Sequence, residues 1–263
     1  MAAVELNYAR RGSGEPLVLI HGIGSRWQMW EPVVERLARE RDVIALDLPG
    51  FGFSPMAPLG TDAGAGPLAG LVAGWLRSLG IERPHLAGNS LGGWVGLELA
   101  KRGLARSVTA LSPAGFYTQA EAIFMLASLR LARRLARAVR PDAARLASHP
   151  VLRHAAFWQL VGRPERVPAF DAAEGIRALA DAPWFDETLE AIARERFHAR
   201  RSVGVPVTIA WGEHDRLLLR RQAQRAEREI PDARVVVLEG CGHVPTYDDP
   251  PQVARVILEG SST

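Results

Sequence analysis

Between residues 16 and 111, short runs of mostly apolar residues alternate with longer stretches of helical spacing. That alternation narrows the fold more than any other feature of the chain. The runs are PLVLIH at 16–21, DVIALD at 42–47, PHLAG at 84–88 and SVTAL at 107–111. Being apolar at most positions with no polar alternation, they read as strands covered on both faces. Helices are expected at 30–39, 67–79 and 91–102. A strand-helix-strand order needs right-handed crossovers, so the expected fold is α/β: a mostly parallel twisted sheet with helices on both faces. Val4, Leu6 and Tyr8 alternate with polar neighbours and are expected to form an opening strand.

The alternation stops at Pro113 and resumes with PVTIAW at 206–211, followed by an expected helix at 218–230, a strand at 233–238 and a helix at 251–258. The stretch between is rich in Ala and Arg. It spaces Leu126, Leu129, Ala132, Leu135 and Val139 helically and is broken by Pro141, Pro150, Pro164, Pro168 and Pro183. A cap of short helices at 114–202 is expected, inserted after the sixth strand of a core formed by 1–113 and 203–263. A chain of 263 residues can bury such a core as one elaborated domain.

Composition excludes several classes of partner. The chain is 48% hydrophobic and 23% charged, as in an ordinary globular protein. All but Lys101 of the 32 basic residues are Arg, but the formal excess is only +3 and the Arg are interleaved with Glu and Asp, which argues against nucleic acid. Residues 1–11 lack the continuous apolar stretch of a signal peptide, and no apolar window of 18 residues exists for stable membrane insertion. The lone Cys241 has no internal disulfide partner, in keeping with a reducing compartment. A cytoplasmic protein acting on a small molecule is expected.

The chemistry concentrates at the ends of the expected strands. GNSLG at 88–92 matches G-x-S-x-G where the pattern switches from strand to helix. A serine on so sharp a turn needs small flanking residues, because a Cβ at 88 or 92 would strike neighbouring backbone. Leu91 then offers its backbone N–H at a helix N-terminus, where the donor is unpaired and the dipole favours negative charge. The plainer alternative for Ser90 is a helix cap. HGIG at 21–24 follows its strand directly, and the Ile23 N–H is the candidate for a second donor; a plain tight turn is the alternative there. Asp215, in WGEHD at 211–215, lies just past one strand, and His243, in GCGH at 240–243, just past the next. Parallel strands bring both loops to the sheet edge that carries Ser90. There Asp215 would hold the imidazole of His243 in one tautomer, and His243 would take the serine proton.

Along nearly all of the chain except the cap, the sequence resembles the α/β-hydrolase superfamily, in its serine-nucleophile branch. The matching stretches are HGIG at 21–24, DLPGFGFS at 47–54, GNSLGG at 88–93, WGEHD at 211–215 and GCGHVPTYDDP at 240–250. The resemblance implies a triad of Ser90, Asp215 and His243, with an oxyanion hole formed by the backbone N–H groups of Ile23 and Leu91. A serine at 90 argues against the haloalkane dehalogenase and epoxide hydrolase branches, which need an Asp nucleophile. GNSLGG is also similar to the carbon-carbon hydrolases of aromatic ring-cleavage products. Those usually carry a tryptophan directly after the catalytic histidine, where this chain has Val244 and Pro245.

The expected activity is hydrolysis of a carboxylic ester or related acyl bond through an acyl-enzyme, with no metal or organic cofactor. Carbon-carbon bond hydrolysis, acyl transfer, and a ligand-binding or receptor role on the same fold remain alternatives. Phe116, Tyr117, Phe157, Trp158 and Trp184 are the substrate-binding candidates of the cap, favouring an apolar acyl or aryl group. Arg130, Arg133, Arg134, Arg137 and Arg140 are expected to form a solvated helix face, with docking to an acidic carrier or membrane surface as the alternative. Asp248 and Asp249 are expected to cap the last helix, Cys241 to fill space, His214 to be exposed, and Asp47 and Ser54 to serve a structural loop. His85, His149, His154 and His198 show no metal-ligand spacing.

Overall fold

The computed structural model describes residues 4–56, 60, 62–199 and 203–262. The first three residues of the expected core, and 200–202 at the end of the expected cap, lie outside the described residues. In chain order the main elements are β1 (Tyr8–Gly12), β2 (Pro16–Ile20), α1 (Glu31–Leu37), β3 (Asp42–Leu46), α2 (Ala65–Ser78), β4 (His85–Asn89), α3 (Leu91–Lys101), β5 (Ser107–Leu111), α4 (Gln119–Val139), α5 (Ala143–Ser148), α6 (Pro150–Phe157), α7 (Ala169–Asp181), α8 (Phe185–Arg194), β6 (Val207–Gly212), α9 (Ala223–Glu229), β7 (Arg234–Leu238) and α10 (Pro250–Gly260).

The strands form one sheet in the order β1-β3-β2-β4-β5-β6-β7, parallel except for β1. Alternate residues of each inner strand feed separate layers. Val18, Ile20, Ile44 and Leu46 face the cluster containing α2 and α3, with Trp75 and Trp94. Leu17, Leu19, Val43 and Ala45 face α1 and α10, with Trp30, Val253 and Ile257. Two covered faces explain why these strands are apolar at nearly every position.

Three expectations are corrected. The opening strand runs from Tyr8 to Gly12 rather than over Val4 to Tyr8, because its partners are Asp42 to Leu46; Leu6 is buried ahead of it. The helical insertion follows the fifth strand of this chain, not the sixth, since a single antiparallel strand supplies the edge beside β3. The helix expected at 218–230 is shortened to a 3-10 turn and α9, because the backbone at 217–218 is occupied elsewhere: Leu217 and Leu218 donate their N–H groups to Asp215, and the Leu218 carbonyl accepts from Trp211 Nε1.

Between β5 and β6 lie α4 to α8, with a small core of their own rich in alanine, including Ala136, Ala143, Ala147, Ala172, Ala173 and Ala180. Such small side chains let α5 and α7 approach closely. The long helix α4 opens with a capping box between Thr118 and Glu121. Of the Arg side chains expected to form a solvated face, Arg134, Arg137 and Arg140 are exposed, Arg130 is half-buried and Arg133 is buried. Arg130 pairs with Glu190 at 2.6 Å, Arg133 with Asp186 at 2.5 Å and Arg140 with Asp181 at 2.5 Å, while Arg137 donates to the Ala180 carbonyl. Arg133 is buried and also lies 4.8 Å from the ring centroid of Phe185. The helix turns Arg133 onto α8 and leaves Ile123, Phe124, Leu131 and Leu135 exposed.

Glu121 ties the start of α4 back to the core through Arg221, at 2.6 Å, and Arg225. Burial alone would raise its carboxyl, but the Thr118 N–H and the two guanidinium groups bring it down to about 2. A depressed carboxylate contributes stability that is full above its unfolded value and is lost as pH falls through the folded one. Glu121→Gln should therefore cost about 2 kcal/mol near neutral pH. The gap to the parent in urea titrations should narrow steadily between about pH 4.5 and pH 2. A gap independent of pH would mean that the pair contributes by shape alone.

Candidate active site

The loops that leave the C-terminal ends of β2, β4, β6 and β7 converge at one edge of the sheet, and close backbone contacts dictate where. Ser90, between β4 and α3, has φ +55 and ψ −115, outside the regions an L-residue ordinarily occupies. The turn is sharp because nothing protrudes beside it. A Cβ on Gly92 would sit 2.1 Å from the Ile20 carbonyl oxygen, and one on Gly88 would sit 2.2 Å from that of Gly92. Hydrogen bonds hold the strained residue: Ser90 N–H donates to Leu111, and the Ser90 carbonyl accepts from Trp94 and Ala114. Leu91 is the first residue of α3, buried at its N-terminus.

The loop after β2 passes directly over this turn, with Ser90 Cβ 3.3 Å from where a Gly22 Cβ would be. His21 sets its shape. The Leu48 N–H donates to His21 Nε2 at 2.9 Å, which puts the ring proton on Nδ1, and Nδ1 lies 2.7 Å from the Gly22 carbonyl oxygen. Burial pushes His21 below the ordinary histidine range, so the ring is neutral at neutral pH. With the Gly22 carbonyl turned toward the imidazole and the peptide trans, the Ile23 N–H points to the opposite side.

Asp215 and His243 meet at the same edge. Asp215 Oδ2 is 2.8 Å from His243 Nδ1, and the two side chains are 0% and 4% exposed. The other carboxylate oxygen accepts from Leu217 and Leu218 at 2.9 and 2.8 Å. An aspartate so provided with donors stays in place and holds the His243 proton on Nδ1, leaving Nε2 as the basic nitrogen. The loops themselves touch: a Cβ on Gly212, at the end of β6, would lie 2.0 Å from the Gly242 carbonyl oxygen. Asn89, beside Ser90, donates from Nδ2 to the carbonyls of both Leu111 and His243, at 3.1 and 2.8 Å, and so fixes the histidine loop to the serine turn.

Residues 17–256 match the model of the alpha/beta hydrolase family. The chain belongs to that family. An uncharacterised protein of Mycobacterium tuberculosis is 30% identical to this hydrolase over 267 residues, covering 94% of this chain and 75% of that protein. Epoxide hydrolase EphH of the same organism is 32% identical over 203 residues, covering 72% of this chain and 91% of its own. A thermophilic esterase from Thermogutta terrifontis superposes with a TM-score of 0.74 at 24% identity, over 97% of this chain and 92% of that one, a likeness of fold.

The cap aromatics of this hydrolase are placed unequally. Trp158 is 51% exposed, with Arg216 5.6 Å from its ring centroid, so it stands at the surface. Phe157 is half-buried against the cap's own core. Phe116 and Tyr117 are buried in the main core, where Phe116 packs 5.4 Å from Phe197 and the Tyr117 hydroxyl donates to the Ile192 carbonyl. Trp184 packs on the loop after β3, with its N–H on the Gly50 carbonyl. Cys241 is buried, and burial pushes its thiol up to about 12, as befits a space-filling residue. His214 is exposed, and Asp47 and Ser54 brace the loop after β3 through bonds to Trp27, Phe53 and Asn7. Among the described residues no helix is long and apolar enough to cross a membrane.

Asp249 caps α10 as expected, its carboxylate accepting from the Gln252 N–H, whereas Asp248 does something the sequence did not suggest. Its carboxylate accepts from Gly162, Arg163 and Gly242 at 2.8, 2.7 and 2.7 Å, tying the cap to the histidine loop. Val244 N–H on the Leu160 carbonyl and Arg216 on the Trp158 carbonyl add to this junction. The only sequence signal was a second Asp before Pro250, which capping already explained. Asp248→Ala should strand three donors and cost at least about 3 kcal/mol in chemical denaturation. Asp249→Ala should cost about 1 kcal/mol. Equal costs would show that the junction does not depend on Asp248.

Proposed function

We propose that this alpha/beta hydrolase cleaves a carboxylic ester or related acyl bond of an apolar small molecule, with Ser90 as nucleophile. The observation that carries the reading is the Asp215 to His243 hydrogen bond of 2.8 Å, shielded from water, on the sheet edge that bears the strained serine. His243 Nε2 takes the Ser90 Oγ proton as Oγ attacks the acyl carbonyl. The oxyanion so formed is met by the N–H groups of Ile23 and Leu91, and His243 returns the proton to the departing alcohol. Water, activated by the same imidazole, then releases the acid from the acyl-enzyme. In this reading residues 114–202 roof the core formed by 1–113 and 203–263, and the substrate is held by some of the aromatic groups Phe116, Tyr117, Phe157, Trp158 and Trp184.

The likeness to an epoxide hydrolase does not carry epoxide opening to this chain. A serine attacking an epoxide would give an ether, with no carbonyl for water to attack, so turnover would stop after one event. An activated serine acting on an acyl group avoids that trap.

Ser90→Ala should abolish covalent labelling by a fluorophosphonate and leave the circular dichroism spectrum unchanged. Asp215→Asn should lower ester turnover on the order of 10⁴-fold by reversing the favoured tautomer of His243. Labelling of the Ser90→Ala protein equal to the parent would end the assignment. Consumption of ring-cleavage diketones without ester turnover would move the reaction to a carbon-carbon bond.

If the pocket is apolar, each added methylene is worth roughly 0.8 kcal/mol, and kcat/KM on p-nitrophenyl esters should climb about three- to fourfold per carbon until the pocket is full. A monotonic fall from acetate onward would show that the cap aromatics pack only one another.

A further inference from the structure

The groups assigned to bind the oxyanion and to move the proton lie on different core loops, yet a single cap helix grips both. Arg26, three residues beyond Ile23, pairs through Nη2 with Glu174 Oε2 on α7 at 2.5 Å, and the two side chains are only 14% and 23% exposed. Arg177 holds the other oxygen of Glu174, and the two guanidinium groups keep that carboxyl below its ordinary range. Tyr247, four residues beyond His243, packs against the core that α7 shares, where burial and the nearby Asp171 carboxylate of that helix push its phenol up. Asp171 and Glu174 are three residues apart and therefore share one face of the helix. The same loop leans on the cap at Gly24, where a Cβ would come within 2.6 Å of Leu179 and 2.9 Å of Phe185.

The opposite side of α7 is fixed. Ala172, Ala173, Ile176 and Ala180 are packed into the cap's own core, which the Asp248 junction ties to the histidine loop. A helix held in that way cannot follow one core loop without the other. A surface ion pair alone would merit little weight. Here two carboxylates on one helical face stand beside the loops on either side of the serine, and the Arg26 contact is largely screened from solvent.

We infer that α7 is a gauge that sets the distance between the Ile23 N–H and His243, which makes Arg26, Glu174, Asp171 and Tyr247 positioning residues for the proposed acyl transfer. The inference rests on that reading of the site. It differs from a covering role for the cap in what it ties to α7: the geometry of the transition state and not only the grip on the substrate.

The test compares Glu174→Ala and Asp171→Ala with Glu174→Gln, which can still accept from Arg26, and with Glu190→Gln, which cuts the unrelated Arg130 pair. On p-nitrophenyl acetate, Glu174→Ala and Asp171→Ala should each lower kcat about tenfold with KM within about twofold, since small misplacements of reacting groups cost rate rather than binding. Fluorophosphonate labelling should slow in proportion, Glu174→Gln should recover most of the loss, and Glu190→Gln should match the parent. A rise in KM at unchanged kcat, unchanged kinetics, or an equal loss in Glu190→Gln would overturn the gauge. A readout free of any substrate accompanies these assays. In nitrogen-labelled protein, Glu174→Ala should move the Ile23 amide resonance, and Asp171→Ala should move the His243 ring proton shared with Asp215. If the parent fails to label at Ser90 while those resonances move, the acyl-transfer reading falls and the gauge stands. If the parent labels and neither resonance moves, the gauge alone falls.

Discussion

The backbone of α3 meets the end of β2 so closely at Gly92 that no side chain atom fits between them, and the arrangement of the site depends on that contact. Because β2 and β4 are neighbours in a parallel sheet, both strands end at the same edge, and the chain leaving β4 must reverse into a helix within one residue. Ser90 takes up the resulting strain at φ +55. Strain of this kind costs on the order of 1–3 kcal/mol and persists only where the surroundings leave no other conformation. The bonds of its N–H and carbonyl to Leu111, Trp94 and Ala114 supply that restraint.

Three buried aspartates near this edge are built alike and differ in one partner. Asp47 accepts from the backbone of Trp27 and Phe53 and from Asn7, and Asp248 accepts from the backbone of Gly162, Arg163 and Gly242. Asp215 accepts from Leu217 and Leu218, but its remaining oxygen meets His243. Burial and a supply of N–H donors are thus common to all three. Of the three only Asp215 bonds directly to an imidazole nitrogen, the arrangement that can hold a proton on one ring nitrogen while the other stays basic.

The cap is attached to the site by backbone as much as by side chains. Gly162 lies so near the histidine loop that a Cβ would come 2.4 Å from the Gly240 carbonyl oxygen, and Val244 pairs with Leu160 in the same crossing. Together with Arg216 on the acid loop and Arg26 beside Ile23, these contacts reach each of the loops that carry the site apart from the serine turn itself. Asn89 closes the remaining gap by joining the serine turn to the His243 carbonyl.

The alternation of apolar runs determined the parallel sheet, the interruption after β5 and the loops that bear Ser90, Asp215 and His243, because strand burial and turn chemistry are written into neighbouring residues. Small boundary errors arose where a strand chose its partner, as at Tyr8–Gly12, or where backbone groups were diverted, as at Leu217 and Leu218. What tertiary structure alone decided was the partner of each charge. Arg133 and Arg137 share a helical spacing that reads as a solvated face, and only the position of α8 buried the first while the second stayed exposed. Asp248 could be a cap by every local rule, and became the link between cap and histidine loop because residues 160–163 pass beside it. Local sequence fixes how the backbone turns and which residues must be buried. Which polar group meets which depends on contacts between residues as far apart as Arg26 and Glu174, and no local spacing encodes that distance.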